Sequence, residues 1–317
     1  MSLNKRVSIK VPGTAANLGP GFDILGMALN IYNEFEFNLN DTSNFNLSMR
    51  NGHSVPFETK DDLTLHSYKQ YFQIFLKSIE PPTYDCKMSL ELPMKGGLGS
   101  SASAVVAGFC FAREVHKALF KEIALPSAGR FLYELAMQEG HPDNTSPAYL
   151  GGYVLSYFDR KDHLSYYQKR FPQSAAVYIF TPHLEVSTHE SRKVLPKSYS
   201  TEDVIFNMTR IATWMQYFDT RRFSDLKLAL QDRIHTPYRI HAIEPLQEII
   251  RLVEKKQMAY CLSGSGPTLL IFMERKKVSQ LEKSLIIEIS EIMKSLNTDY
   301  VIRRAKSDNI GTTIKIK

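Results

Sequence analysis

The chain has 317 residues, of which 43% are hydrophobic and 23% are charged. This composition is typical of a globular protein and excludes a disordered or fibrous chain. The 39 Lys and Arg residues exceed the 33 Asp and Glu residues, which gives a formal net charge of +6. The basic residues are scattered in short clusters and form no stripe, so we expect no nucleic-acid partner.

We also expect no membrane partner, because the longest apolar stretch, residues 104–112, is far shorter than the roughly 18 to 20 residues that span a bilayer. The N-terminal residues lack the pattern of a signal peptide. The cysteines Cys86, Cys110 and Cys261 lie in apolar contexts without a metal-binding spacing. We therefore predict reduced core thiols in a cytoplasmic protein.

The first half of the chain is predicted to combine a sheet with helices. Alternation of apolar and polar residues predicts strands near 7–11, 34–39, 45–49 and 85–92. Asp61 and Asp62 can cap a helix whose apolar stripe continues to Ile79. Two further helices are predicted at about 101–119 and 127–139.

In the second half, strands are predicted at 175–181, 258–262, 268–273 and 299–304, and helices at 201–218, 223–235, 244–256 and 278–296. Without the extra helices the order is β-α-β-β-α-β, which is ferredoxin-like. The pattern thus predicts an α+β protein of two domains, which we divide into residues 1–160 and 161–317.

A glycine-rich segment, residues 93–103, lies between a predicted strand and a predicted helix. Its glycines let the backbone turn toward a ligand, and Ser100 and Ser101 begin the helix, where free N–H groups and the helix dipole favour an anion. The segment matches neither the Walker A nor the Rossmann pattern. A serine-capped turn is the alternative, but the strand–loop–helix context favours a phosphate cradle. The predicted cradle residues are Pro93, Met94, Lys95, Gly96, Gly97, Leu98, Gly99, Ser100, Ser101, Ala102 and Ser103.

Two further loops carry polar groups that suit chemistry. Residues 17–23 form a rigid Gly-Pro-Gly loop with Asn17 and Asp23 at its ends. After a predicted helix, His141, Asp143 and Asn144 offer an acid/base group, a carboxylate and an amide. For each loop, a purely structural turn or cap is the alternative.

Three segments in the second half complete the set of candidates. Residues 262–267, Leu-Ser-Gly-Ser-Gly-Pro, predict a turn between two strands. Arg192 and Arg239 lie in polar stretches near predicted loops. Most arginines are solvated, so neither would be selected without further context.

Four segments resemble, in the same order along the chain, the motifs of the GHMP small-molecule kinases, and most closely those of the branch that acts on L-homoserine. These segments are residues 11–23, 93–103, 139–152 and 262–268. Residues 139–152, beginning Glu-Gly-His-Pro-Asp-Asn, distinguish this branch from the mevalonate-type branches. The resemblance extends over about residues 6–305. It implies an N-terminal α/β domain with a left-handed βαβ crossover, a ferredoxin-like C-terminal domain, and phosphoryl transfer from ATP with Mg²⁺ to the L-homoserine hydroxyl.

The resemblance also implies a role for each matching residue. The 93–103 backbone would hold the phosphates, with a hydroxyl of Ser100 or Ser101 and the carboxylate of Glu134 near Mg²⁺. The charged amino acid would be held by two arginines and by polar groups of the two loops. These substrate residues are Asn17 at the hydroxyl, Asp23 at the ammonium, Arg192 and Arg239 at the carboxylate, and His141 and Asn144 along the pocket. Asp143 would lie beside the transferred phosphoryl group and, with Asn17, is assigned to catalysis.

The sequence departs from the family pattern at three places. Gly13 and Ala15 replace a common alanine and serine, and Asp62 stands where many relatives have asparagine near the adenine. Two alternatives remain open: a GHMP kinase for another small alcohol such as mevalonate, and a noncatalytic nucleotide-binding regulator. The sequence is also compatible with a homodimer.

Overall fold

The computed structural model describes residues 6–184, 186–241 and 243–317, and their strands form two β-sheets with helices packed against them. The strands are β1 (Val7–Ala16), β2 (Leu25–Leu39), β3 (Asn46–Met49), β4 (Tyr84–Leu90), β5 (Tyr153–Arg160), β6 (His163–Lys169), β7 (Ala175–Pro182), β8 (Ala259–Leu262), β9 (Leu269–Glu274), β10 (Tyr300–Ala305) and β11 (Thr313–Ile316). The α-helices are α1 (Leu63–Phe75), α2 (Ser100–Leu119), α3 (Ala128–Met137), α4 (Thr145–Leu150), α5 (Thr188–Lys193), α6 (Thr201–Thr220), α7 (Phe223–Ala229), α8 (Thr236–Ile240), α9 (Glu244–Lys255) and α10 (Val278–Ser295).

The first sheet has the order β11-β1-β2-β4-β3, and the β5–β6 hairpin joins it through β2. β3 and β4 are parallel and are connected through α1, so they form a βαβ unit with Leu47 opposite Cys86. Apolar residues that alternate along β1, β2 and β4 pack against α1, α2 and α3 in one core. This layer positions the start of α2, where the glycine-rich segment ends.

The second sheet has the order β10-β7-β9-β8, and all its pairs are antiparallel. With α5–α9 between β7 and β8, and α10 between β9 and β10, this order confirms the predicted ferredoxin-like half. Apolar residues of α9 and α10 pack on one face of the sheet. The turn between β8 and β9 emerges at the edge that faces the first sheet's loops.

A second apolar core joins the two sheets. It combines residues of β1 and β2 with residues of β7, β9 and α6, including Trp214 and Tyr217. The three cysteines Cys86, Cys110 and Cys261 are buried and unpaired, as predicted. Among the described residues, no helix is both long enough and apolar enough to cross a membrane.

Two elements differ from the predictions for reasons that the structure makes clear. β2 begins at Leu25 and not near residue 34, because its first half is buried on both faces and therefore does not alternate. The predicted helix 223–235 ends at Ala229, because Asp232 accepts the backbone N–H groups of Ile234, His235 and Thr236. These side-chain contacts replace continued helix hydrogen bonds.

Sheet membership does not follow the proposed division at residue 160. β6 and β11 lie beyond that point, yet both belong to the first sheet. β11 pairs antiparallel with β1, from Val7 opposite Ile316 to Lys10 opposite Thr313. The last strand therefore lies beside the first. Short strands of this kind give little local signal, because their pairing depends on partners far away in sequence.

Close packing of α1 against α2 depends on Gly108. A Cβ atom at this position would overlap the backbone carbonyl of Thr64 and the hydroxyl of Ser67. Both contacts belong to the first turns of α1, whose N-terminus is capped by the Asp62 carboxylate through Thr64 N and Leu65 N. The helices therefore approach at a distance that only glycine allows at this crossing.

We expect Gly108→Ala to destabilise the protein by about 1–3 kcal/mol, because the cost of overpacking exceeds the helix propensity gained with alanine. The free energy of unfolding from urea titration measures this change. Lys117→Ala, at an exposed position of the same helix, is the matched control and should stay within about 0.5 kcal/mol of wild type. Equal stability of Gly108→Ala and wild type would contradict the close approach.

Candidate active site

A cleft of about 500 Å³ opens where loops of the first sheet meet the β8–β9 turn and helices α5 and α8. It gathers most of the residues that the sequence analysis selected. Those that line it are Asn17, Asp23, Lys95, Gly96, Gly97, Gly99, Ser100, Ser101, His141, Asp143, Asn144, Arg192 and Arg239. Five segments separated by up to about 220 residues in the sequence thus converge on one cavity.

The glycine-rich segment forms the wall at the start of α2. Lys95, Gly97 and Gly99 have positive φ angles of 53°, 73° and 67°, which turns the chain tightly before the helix. No side chain of the described residues caps α2, so the N–H groups of its first turn remain available for an anion.

The β8–β9 turn holds this loop from the other sheet. Ser263 Oγ donates to Gly97 O at 2.5 Å, and Thr268 Oγ1 donates to Gly96 O at 2.5 Å. A Cβ atom on Gly97 would lie 2.5 Å from Ser263 O and 2.8 Å from Gly266 O. The loop carbonyls are therefore bound away from the cleft by the other half of the protein.

Not every predicted cradle residue lines the cleft. Pro93 and Met94 are exposed, whereas Leu98, Ala102 and Ser103 are buried behind the loop. Ser103 Oγ donates a hydrogen bond to Ser100 O at 2.7 Å and accepts one from Asn33 Nδ2 at 2.8 Å. These two bonds hold the first turn of α2 against β2. These residues shape the loop, and their neighbours face the cavity.

Ser101 lies opposite a carboxylate that the sequence analysis did not select. Its Oγ donates to Glu139 Oε1 at 2.6 Å, while Glu139 Oε2 is buried without a hydrogen-bond partner among the described residues. Burial raises the pKa of Glu139. Gly140, with φ 78°, ends the α3 turn, because its N–H bonds Ala136 O. Glu139, in this turn at the end of α3, thereby lies beside Ser101 at the start of α2.

Glu134, the predicted magnesium ligand, occupies a different place. It lies within α3, whereas Glu139 follows the end of that helix; Glu134 forms an ion pair with Arg130 and is absent from the cleft lining. Arg130 also contacts Asp162 at 2.7 Å. The resemblance to the family selected Glu134 by its position on the helix before His141. In the structure, the carboxylate of Glu134 is directed to the guanidinium of Arg130.

His141 and Asp143 form a short contact, with Nδ1 and Oδ1 2.6 Å apart. Burial alone would lower the pKa of His141, but the bond to Asp143 and the charges of Asp143, Glu139 and Asp23 outweigh burial and raise it. Ligand atoms of Asp23, His141 and Asp143 lie within 4.8 Å of one another. This cluster concentrates negative charge on one side of the cleft.

Opposite charge lies beside that cluster. Arg192 Nη2 and Nη1 contact Asp23 Oδ1 and Oδ2 at 2.7 and 3.0 Å, a bidentate pair that raises the pKa of Arg192. The Phe22 ring lies 5.3 Å from the guanidinium of Arg192 and 5.3 Å from that of Arg239. Two guanidinium groups thus lie against a single aromatic ring, and one of them is paired with the Asp23 carboxylate.

Two amide side chains hold the loops of the cleft together. Asn17 Nδ2 donates to Gly264 O at 2.9 Å, and Asn17 Oδ1 accepts Asp23 N at 3.1 Å. Asn144 Oδ1 accepts the Thr14 hydroxyl at 2.7 Å. Thr14 lies between Gly13 and Ala15, two of the departures from the family pattern, so a hydroxyl is present in this part of residues 11–23.

Similarity to curated proteins is high over nearly the whole chain. A homoserine kinase of Clostridium beijerinckii is 32% identical over 315 residues, which cover 97% of this chain and 98% of that protein. A homoserine kinase of Solibacter usitatus is 34% identical over 272 residues, 86% of each chain. This chain belongs to the homoserine kinase family. Residues 65–152 also match the model described as GHMP kinases N terminal domain.

Solved structures agree on the fold. A homoserine kinase structure from Cytophaga hutchinsonii matches 99% of each chain with a TM-score of 0.81 at 21% sequence identity. A structure titled mevalonate kinase matches 95% of this chain with a TM-score of 0.63 at 14% identity. The two-domain α+β fold that the resemblance implied is therefore confirmed.

The raised pKa of His141 makes part of the stability depend on pH. Protonated His141 stabilises the fold fully below the unfolded pKa of about 6.5, and this contribution is lost as the pH rises through the raised folded pKa. We expect the free energy of unfolding of wild type to exceed that of His141→Gln most at about pH 6, and this difference to shrink as the pH rises through the raised folded pKa of His141. Urea titrations at each pH measure it, with exposed His53→Gln as control. A difference that stays constant with pH would contradict the His141–Asp143 interaction.

Proposed function

We propose that the protein transfers the γ-phosphoryl group of ATP to the side-chain hydroxyl of L-homoserine, the step toward threonine. One observation carries this proposal: a single cleft joins an uncapped helix start to a carboxylate and two arginines. The helix start suits the phosphates of ATP. Asp23 suits an ammonium group, and Arg192 and Arg239 suit a carboxylate, so the same cleft fits a zwitterion.

For Mg²⁺ we propose Ser101 and Glu139 as the protein ligands. Glu139 offers a buried carboxylate oxygen that has no partner among the described residues, and the Ser101 hydroxyl lies beside this carboxylate; such oxygen donors are the ligands that Mg²⁺ prefers. When bound there, the ion would neutralise charge on the phosphate oxygens. Glu134 lacks this support, because Arg130 occupies its carboxylate.

The remaining residues support positioning. Asn17 and Asn144 tie their loops to Gly264 and Thr14, and we propose that their amides border the hydroxyl and the phosphoryl group. Asp143, held by His141, is the candidate to accept the hydroxyl proton. A loose phosphoryl-transfer transition state needs mainly positioning and charge neutralisation, so catalysis without a protein base is the alternative.

Two other functions fit the cleft less well. Mevalonate carries a carboxylate but no ammonium, so it would leave Asp23 without a matching charge. A noncatalytic regulator would have no need for a buried Glu139 whose Oε2 lacks a hydrogen-bond partner among the described residues and whose Oε1 contacts the Ser101 hydroxyl. We further propose a cytoplasmic location, which the unpaired thiols support. We also propose that the protein can form a homodimer.

We expect ADP release with MgATP to be fastest with L-homoserine in a panel that includes mevalonate, L-threonine and L-serine. The reason is that L-homoserine presents both charges and a hydroxyl two carbons from the α-carbon. A coupled ADP assay measures each rate, and ATP hydrolysis without an acceptor is the baseline. Equal or faster turnover of mevalonate would refute the substrate assignment and leave the kinase class standing.

We expect Glu139→Gln to raise the Mg²⁺ concentration for half-maximal activity at least about tenfold, because an amide is a weaker ligand than a carboxylate. Glu134→Gln, on helix α3 just before Glu139, is the matched control and should change this concentration by less than about twofold. Titration of activity with MgCl₂ at fixed ATP measures both. The reverse ranking of the two variants would restore Glu134 as the ligand and contradict our assignment.

A further inference from the structure

His235 lies beneath the arginines of the cleft, immediately before α8, and its side chain is fully buried. Its Nε2 is 2.8 Å from Gly19 O, a carbonyl of the 17–23 loop. Its Nδ1 is 3.3 Å from Nη1 of Arg239. A carbonyl only accepts and a guanidinium only donates, so these partners place the ring proton on Nε2 and leave Nδ1 as an acceptor. The imidazole is therefore neutral in this arrangement.

The other contacts of Arg239 come from backbone carbonyls. Nη1 donates to Gly264 O at 3.0 Å, and Nε donates to Ser191 O at 3.4 Å. Within the described residues these contacts use Nε and Nη1, which leaves Nη2 for a ligand in the cleft. Among these hydrogen-bond partners in the described residues, His235 is the one side chain, and it connects the guanidinium to Gly19 of the 17–23 loop.

His235 is itself rigidly held. Asp232 accepts the backbone N–H of His235 at 3.0 Å and of Thr236 at 2.6 Å, and Asn207 Nδ2 donates to it at 2.7 Å. Its Oδ2 lies 3.3 Å from His235 Nε2. The Phe22 ring also packs against the imidazole, with the ring centroids 5.4 Å apart. The imidazole thus has little freedom to rotate away from Arg239.

We propose that neutral His235 is a positioning residue: it orients Arg239 so that the free edge of the guanidinium meets the substrate carboxylate. This inference rests on the proposed function, because it assumes that Arg239 binds that carboxylate. It adds a residue that would not touch the substrate and that acts through the hydrogen bond from Arg239 Nη1 to its Nδ1.

The charges around His235 favour the neutral form. Burial lowers the pKa of His235, and although Asp232 opposes this shift, Arg239 adds to it, with Asp23 as a more distant negative charge. Protonation would direct an N–H group at a guanidinium that has no acceptor. Arg239 would then lose its side-chain partner and gain a neighbouring positive charge.

Two substitutions at His235 separate its contacts. His235→Asn keeps an oxygen acceptor near the Nδ1 position, whereas His235→Gln keeps a donor that reaches Gly19 but removes that acceptor. Arg239→Leu removes the guanidinium group completely and shows the largest effect expected from losing its contact with the substrate carboxylate. His241→Gln, at an exposed histidine just after α8, is the matched control. The measurements are KM and kcat for L-homoserine, KM for ATP, and the urea midpoint for folding.

We expect His235→Gln to lower kcat/KM for L-homoserine about ten- to a hundredfold, mainly through KM, and Arg239→Leu to lower it at least as far. His235→Asn should recover most of the loss, and KM for ATP should change less than about twofold throughout. A merely structural role would lower kcat and the urea midpoint together and would not distinguish Asn from Gln.

Wild-type homoserine kinetics in a folded His235→Gln variant would overturn this proposal, as would equal impairment of the Asn and Gln variants. Absence of L-homoserine turnover in the wild-type protein would instead overturn the proposed function. The wild-type measurement therefore distinguishes the two failures.

Discussion

The contact between the glycine loop and the β8–β9 turn constrains the whole site. Ser263 and Thr268 take up the carbonyls of Gly97 and Gly96, and no side chain fits between the two backbones. The loop carbonyls are thereby directed to the other half of the protein, and no side chain in the described part of the chain caps the N–H groups at the start of α2. The proposed phosphate site therefore requires both halves of the protein, and a shared apolar core joins their two sheets.

Charge balance organises the other side of the cleft. Asp23 and Arg192 neutralise each other through two hydrogen bonds, and Arg239 is held by His235 and two carbonyls. A zwitterionic ligand can replace this internal ion pair with two external ones at little electrostatic cost, whereas a ligand with one charge leaves a desolvated group unmatched. Selectivity would then come from the penalty on incomplete ligands as much as from the attraction of the complete one.

The sequence predicted the elements whose signal is local and missed those that depend on distant partners. Alternation and turn residues were enough for the ferredoxin-like order, and four motifs in order were enough to predict one site. Glu139 was missed because its selection depends on how α3 ends at Gly140, which sequence spacing alone does not reveal. β11 and His235 were missed because their partners, β1 and Gly19, lie more than 200 residues away in the chain.

The central claim is that the cleft recognises both charges of its substrate. It is tested most directly by kcat/KM for L-homoserine and for two analogues that keep its hydroxyl. 3-Aminopropan-1-ol lacks the carboxylate, and 4-hydroxybutanoate lacks the ammonium group. The account predicts that each analogue falls at least about a hundredfold below L-homoserine, at about 1.4 kcal/mol per decade. An analogue phosphorylated as efficiently as L-homoserine would contradict the claim.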